Sequence, residues 1–181
     1  MTKAKIFPIL PYIGIPVIGA ALLILQSGQM DAFIILRYGV LIALSHTAAV
    51  LDIKSKKIPN GLILAMIAAW VMIMTPKLFM DTGAAIGLLT DSALGLAMGG
   101  GMFLLVYIIS RKGLGGGDVK YMAAAGLYLG LGGVLTAMLI GTIVAALTAL
   151  TLILLKKIGR KDTMPLAPYL YAGILITIFL L

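Results

Sequence analysis

Apolar stretches long enough to cross a bilayer follow one another along nearly the whole chain, and this limits the fold more than any other feature. A membrane-spanning helix needs roughly 20 apolar residues. Of the 181 residues, 62% are hydrophobic and only 11% are charged, whereas a soluble domain has about 45–50% apolar and about 25% charged residues. The chain has too little polar surface to cover a globule, which excludes a soluble enzyme and a disordered protein. The sequence predicts an all-α bundle of transmembrane helices.

Polar residues divide the chain into seven apolar runs. We place these runs at residues 7–26, 32–51, 58–75, 92–110, 119–133, 134–155 and 164–181. The fifth run is short for a bilayer crossing, and the chain has six spans instead of seven if this run is re-entrant. We expect residues 1–181 to form a single integral membrane domain with no separate soluble domain.

The positive charges indicate which loops face the cytoplasm. The net charge is +8, and most cations cluster at residues 54–57, 111–112 and 156–161. Cytoplasmic loops of membrane proteins carry the excess of Lys and Arg. Seven spans put all three clusters on one side of the membrane, which favours seven over six and predicts a cytoplasmic N terminus. Because the cations sit in these loops, we expect the lipid bilayer as a partner and no nucleic acid.

Four of the six acidic residues, all aspartates, have ordinary explanations. Asp31 and Asp91 precede predicted spans and suit helix N-caps. Asp81 falls in a predicted outer loop, and Asp162 lies among four cations. An acid held at mid-bilayer costs several kcal/mol, so the positions of the remaining two are informative. These are Asp52, at the end of the second span, and Asp118, before the fifth.

Asp52 and Asp118 belong on the same membrane face, because two spans separate them. Either acid alone has an ordinary alternative, an interfacial carboxylate facing cationic loops. However, Gly115, Gly116 and Gly117 directly precede Asp118, and glycines allow positive φ and the close approach of another chain. Two carboxyl groups within a few ångströms share a proton, so one can act as general base on a water and the other as general acid. This chemistry is typical of aspartic proteolysis.

Other catalytic chemistries lack their residues. The chain contains no Cys, no Glu and a single His, so we expect no metal site and no cofactor. Ser45 and His46 are helix neighbours that point apart, which argues against a serine mechanism. His46 is six positions from Asp52 and should face another direction, where we expect an interhelical hydrogen bond. Arg37 is expected to snorkel toward the outer surface.

Two motifs resemble the type IV prepilin peptidase family, the intramembrane aspartic proteases of the G-x-G-D class. The first is an Asp followed seven residues later by Pro-Asn, here Asp52, Pro59 and Asn60. The second is G-x-G-D-x-K, here residues 115–120. A third, weaker similarity is the Pro-Leu-Ala-Pro-Tyr run at residues 165–169. The resemblance extends from about residue 48 to the end of the chain.

The resemblance implies that Asp52 and Asp118 are the catalytic pair of an aspartic endopeptidase. It implies that the substrate is the leader of a prepilin or pseudopilin, cut at the cytoplasmic face of a bacterial or archaeal membrane. Larger members carry metal-binding cysteines and also methylate the new N terminus. This sequence has no cysteine, so we expect peptidase activity only, as in the small peptidases of tight-adherence (Flp) pilus systems.

Further residues of the two motifs have supporting roles in this interpretation. Gly115, Gly116 and Gly117 make room for the substrate. Pro59 suits the first turn of the third span. Asn60 either forms a hydrogen bond near Asp52 or is an ordinary helix-terminus residue. Lys120 either favours the charged form of Asp118 or, more commonly for a lysine, snorkels to the interface.

Three alternatives remain open at the level of sequence. The presenilin and signal peptide peptidase class also uses G-x-G-D, but it pairs a Tyr-Asp with Pro-Ala-Leu, whereas here Leu51 precedes Asp52 and the later run reads Pro-Leu-Ala. A small proton-coupled transporter or channel could use the two aspartates as a relay, although it would be expected to hold charge near the bilayer midplane. In a purely structural assembly subunit the motifs would be coincidental. The cognate prepilin and the oligomeric state are not encoded in any pattern we find.

Overall fold

The computed structural model describes residues 31–110, 113–159 and 163–180. Every regular element in these ranges is a helix, and they contain no strand. The helices are α1 (Ala32–Ser55), α2 (Asn60–Met80), α3 (Thr82–Ile109), α4 (Gly116–Leu154) and α5 (Ala167–Leu180). The predicted all-α class is confirmed.

Four of these helices, α1 to α4, are long and apolar enough to cross a membrane, judged by length and composition, and α5 is a shorter apolar helix. The chain is therefore a multi-pass membrane protein. The predicted first span at residues 7–26 and the counter-charge Asp162 lie outside the described residues. The helix count supports neither the total of seven spans nor the cytoplasmic N terminus, and both stay predictions.

Helices α2 and α3 continue through the predicted outer loop at residues 76–91. Only Asp81 separates them, as the C-cap of α2 and the N-cap of α3, and its carboxylate accepts a hydrogen bond of 3.1 Å from the backbone N–H of Ala84. Pro76 lies inside α2. The predicted loop is wrong because membrane helices tolerate a proline and because a single capped residue is enough to separate two helices.

Helix α4 consists of two segments joined at Gly130, whose backbone is not helical (φ 71°, ψ −174°). Gly99 of α3 contacts both segments. A Cβ there would overlap the carbonyl oxygen of Met122 and lie 3.0 Å from Cγ2 of Val134. Residues twelve apart in a straight helix are separated by about 18 Å, so the chain turns back at Gly130. We name the segments α4a (116–129) and α4b (131–154). The predicted boundary at 133/134 falls just after this turn.

The turn at Gly130 is held by Asp91 of α3. Oδ1 of Asp91 accepts a hydrogen bond of 3.0 Å from the backbone N–H of Leu131, the first residue of α4b. A side chain at Gly130 would overlap the Asp91 carboxylate, and the positive φ there also favours glycine. The prediction that Asp91 caps a helix starting at its own position is wrong. It lies within α3 and caps α4b across the bundle, whereas Asp31 does occupy the N-cap of α1.

Replacing Asp91 with alanine is expected to lower the free energy of unfolding by about 1 kcal/mol, the usual cost of losing an N-cap oxygen. Asp31→Ala is the matched control, because Asp31 occupies an N-cap without forming a side-chain hydrogen bond. Thermal unfolding in detergent should show a lower Tm for D91A and a Tm near wild type for D31A. Equal losses in the two variants would contradict the capping role of Asp91.

Glycines bring helix backbones into direct contact at two crossings. Gly95 of α3 meets Gly126 of α4a, and Gly141 of α4b meets Gly173 of α5. Small residues of this kind let membrane helices approach closely. Segment α4a contacts α3, and residues 121–130 are almost continuously buried. This segment therefore forms the centre of the bundle, and it carries Asp118 at its start.

Two residues of α1 depart from expectation because aromatic rings lie next to them. Arg37 is only 7% exposed, and its guanidinium donates a hydrogen bond of 3.3 Å to the hydroxyl of Tyr38, with its carbon 5.0 Å from the ring centre. The predicted outward snorkelling of Arg37 is therefore wrong. His46 packs its ring against Tyr171 of α5, with centroids 5.7 Å apart, in place of the predicted interhelical hydrogen bond.

Candidate active site

Asp52 lies in the last turn of α1 and is only 6% exposed. Its Oδ2 accepts a hydrogen bond of 3.0 Å from the backbone N–H of Ala167, the first residue of α5. The first N–H groups of a helix have no partner inside the helix and carry partial positive charge. The start of α5 is therefore a suitable place to hold a carboxylate.

Asp118 lies in the first turn of α4a and is 9% exposed. Its Oδ2 lies against Gly115, where a Cβ would come within 2.8 Å of it. Its Oδ1 is buried and has no hydrogen-bond partner among the described residues. The Asp118 carboxyl group is close enough to that of Asp52 for their charges to interact.

The two aspartates line one open cavity of about 230 Å³. The other lining residues come from the α1–α2 connection and the start of α4a: Lys56, Lys57, Ile58, Gly115, Gly116 and Gly117. The described part of the chain contains no group of three His, Cys, Asp or Glu side chains that could hold a metal ion. The structure thus brings the two predicted aspartates to a single site at the ends of α1 and α4a.

The glycines before Asp118 contribute by lacking side chains. Gly115 has φ −76° as the N-cap, and Gly116 is the first residue of the helix. Because the helix starts within the glycine run, none of the three uses the positive φ that glycine allows. A Cβ on Gly117 would lie 3.3 Å from Cβ of Ile58, whereas one on Gly116 would meet no atom within 4 Å. The run therefore lets the α1–α2 connection approach and leaves open space beside Gly116.

The remaining predicted residues lie at the start of α2 and at the rim of the site. Pro59 is the N-cap of α2, one residue before the predicted helical position. Asn60 accepts a hydrogen bond of 2.9 Å from Nζ of Lys120. This contact links α2 to α4a, and it gives Asn60 a partner in Lys120 while both side chains stay exposed.

The segment before α5 supplies contacts that sequence reasoning missed. Nζ of Lys56 donates hydrogen bonds to the carbonyl oxygen (2.9 Å) and the hydroxyl (3.1 Å) of Thr163, and Ala167 donates its N–H to Asp52. The Pro-Leu-Ala-Pro-Tyr run at residues 165–169 could have indicated this donor. Pro168 suits the start of a helix, where the first N–H groups have no partner inside the helix.

Comparison with known proteins agrees with the two motifs. The sequence model of the type IV leader peptidase family matches residues 39–150, more than half of the chain, including both aspartates. The chain belongs to this family. It is also similar to a Bacillus subtilis (strain 168) protein named prepilin leader peptidase/N-methyltransferase, with 29% identity over 136 residues, which are 74% of this chain and 51% of that protein. The chain thus spans about half the length of this relative. No solved structure matches it significantly.

Proposed function

We propose that the protein is an aspartic endopeptidase that removes the N-terminal leader of type IV prepilins or pseudopilins. One observation carries the proposal: the carboxyl groups of Asp52 and Asp118 face one open cavity at the ends of two helices that are apolar enough to cross a membrane. Membership of the type IV leader peptidase family supports the same activity. Gly115, Gly116, Gly117, Pro59, Asn60 and Lys120 shape the site in this proposal.

A water molecule between the two carboxyl groups attacks the carbonyl carbon of the scissile peptide bond. The charged aspartate takes a proton from the water as the C–O bond forms, and the protonated aspartate stabilises the tetrahedral intermediate and protonates the leaving nitrogen as the C–N bond breaks. The N–H of Ala167 stabilises the charged form of Asp52, which suits the general base. Asp118 is buried beside the charge of Asp52, which favours its protonated form and suits the general acid.

The substrate reaches this site as an extended chain at the edge of the membrane. A helical backbone hides its amide groups in internal hydrogen bonds, so the leader junction must unwind before cleavage, and a glycine at the junction makes unwinding easier. The open space beside Gly116 offers room for an extended strand. The apolar helix of the prepilin would remain in the bilayer and pack beside the enzyme.

We place the site at the cytoplasmic face of the inner membrane of a bacterium or archaeon. Lys56 and Lys57 line the cavity, and loops rich in Lys and Arg face the cytoplasm in membrane proteins. This placement uses the seven-span topology with a cytoplasmic N terminus, which counts α4a and α4b as separate crossings.

Cleavage of a panel of tagged prepilins by the wild-type protein tests the proposal. Each prepilin is co-expressed with the wild type or with the double variant Asp52→Asn/Asp118→Asn, and products are scored by gel shift and N-terminal sequencing. We expect a shortened product with a single new N terminus in the presence of the wild type only. If no leader is cut while the reconstituted protein dissipates a proton gradient in vesicles, a transporter or channel replaces the peptidase.

Replacing Lys56 with methionine is expected to reduce cleavage about three- to tenfold. The lysine anchors the segment that presents the Ala167 N–H to Asp52, and a net hydrogen bond is worth about 0.5–1.5 kcal/mol. Lys57→Met is the matched control, because Lys57 lines the same cavity, whereas among the described residues it is Lys56 that binds Thr163. Initial rates on one prepilin measure the difference. An equal loss of cleavage rate in both variants would indicate that the positive charge beside the cavity, and not the contact with Thr163, supports cleavage.

A further inference from the structure

Three buried hydroxyl groups lie beneath the two aspartates, and each comes from a different helix of the site. Ser45 and Tyr121 are 0% exposed, and Tyr171 is 1% exposed. Ser45 precedes Asp52 by seven residues, so it faces the same side of α1 two turns deeper. Tyr121 lies one turn after Asp118 on α4a.

Tyr171 completes the group from α5, one turn after the residue that binds Asp52. The Tyr121 hydroxyl lies near the Ser45 hydroxyl, near Tyr171 and within electrostatic range of Asp118. The ring of His46 covers Tyr171. The three helices that carry the two aspartates and the Ala167 N–H therefore also bring three hydroxyl groups together under the cavity.

None of the three hydroxyl groups makes a hydrogen bond of normal geometry to another described residue, and neither does Oδ1 of Asp118. An unpaired buried polar atom costs about 1–3 kcal/mol. Phenylalanine in place of each tyrosine, or alanine in place of Ser45, would fill nearly the same volume without that cost. Buried polar groups without a protein partner are usually completed by an internal water that forms about three hydrogen bonds.

We propose that Ser45, Tyr121 and Tyr171 enclose a water molecule, and that this hydrogen-bonded group holds Oδ1 of Asp118 in position. The inference rests on the proposed function, because it assigns the hydroxyl groups to the same site. Tyr121 is the central positioning residue, since its hydroxyl lies near that of Ser45 and it follows Asp118 by one turn on the same helix. With Oδ1 held below, Oδ2 remains at the cavity beside Gly115.

The decisive comparison is Tyr121→Phe with Tyr128→Phe. Both tyrosines are fully buried in α4a, but the Tyr128 hydroxyl donates to the carbonyl oxygen of Met66, away from the aspartates. On a cleavable prepilin, Y121F is expected to lower kcat about 10- to 100-fold, the value of one hydrogen bond to a group that is charged during the reaction, as Asp118 becomes when it gives up its proton. KM should stay unchanged because the cavity keeps its shape, and Y128F should retain wild-type kcat.

Infrared spectroscopy provides a readout that does not require activity. In protein labelled with carbon-13 aspartate, the carboxyl and carboxylate bands of Asp118 are identified by their loss in Asp118→Asn. These bands should shift in Y121F and stay in place in Y128F, because only Tyr121 supports Oδ1. Unmoved Asp118 bands in Y121F, or equal kinetic losses in the two phenylalanine variants, would overturn the inference.

A second pair of variants covers the case in which Y121F does not fold. Ser45→Ala removes one hydroxyl from the group, whereas Ser92→Ala removes an equally buried, unpartnered hydroxyl from α3. Ser92 adjoins Asp91, which binds the N–H of Leu131 at the start of α4b, beyond the end of α4a that lies opposite to Asp118. Only S45A should shift the Asp118 bands. Cleavage that persists in Asp118→Asn would instead remove the proposed function, while the band positions would still decide whether the hydroxyls hold Asp118.

Discussion

Asparagine in place of either Asp52 or Asp118 is expected to abolish leader cleavage, with a loss of about 10³-fold or more from each change. Asparagine keeps the size of the side chain and an oxygen that can accept the Ala167 N–H. It cannot take up and return a proton at neutral pH, which the proposed mechanism requires of both residues. The double variant should be little worse than either single variant, because the two carboxyl groups act as one unit.

The same variants should fold at least as well as the wild type. Both aspartates are more than nine-tenths buried as residues and their charges interact, and removing one acid relieves repulsion and the cost of burial. Cleavage rates and thermal unfolding in detergent are measured together, with Asp31→Asn as a control for an acid-to-amide change at an exposed helix start. Cleavage that survives in D52N or D118N would contradict the paired mechanism. The absence of a thermal unfolding transition in either variant would instead indicate misfolding.

The candidate site could be largely predicted because the membrane makes charge expensive. With only six acidic residues in the chain, ordinary explanations for four left Asp52 and Asp118, and the number of spans between them put both on one face. The structure places both on one cavity. The all-helical fold follows equally directly, since in lipid a helix satisfies its own backbone hydrogen bonds.

What the sequence did not reveal depends on tertiary contacts or on the backbone. The N–H group that binds Asp52 belongs to Ala167, and its own residue type does not reveal a backbone donor, although Pro168 beside it marks a helix start. The cap that Asp91 provides joins residues forty apart in the chain, so it becomes visible only once α3 and α4 are packed. The early start of α3 at Thr82 was hidden because small residues continue a membrane helix without a clear hydropathy boundary.

Gly95→Ala is expected to lower the free energy of unfolding by about 1–3 kcal/mol or more, because one added methyl group has no room. A Cβ on Gly95 would overlap the carbonyl oxygen of Gly126, and a Cβ on Gly126 would overlap the carbonyl oxygen of Gly95. Backbone atoms cannot rotate away as a flexible side chain can, so α3 and α4a would have to move apart. Gly126→Ala should have an effect of similar size.

Two glycines of the same helix provide matched controls for Gly95. A Cβ on Gly87 or Gly101 would meet no atom within 4 Å, so alanine there should be neutral or stabilising by up to about 1 kcal/mol through its higher helix propensity. Thermal unfolding in detergent should therefore separate G95A from G87A and G101A. Since α4a carries Asp118 at its start, G95A should also lose cleavage activity. A wild-type Tm in G95A would mean that the two helices do not touch at this crossing.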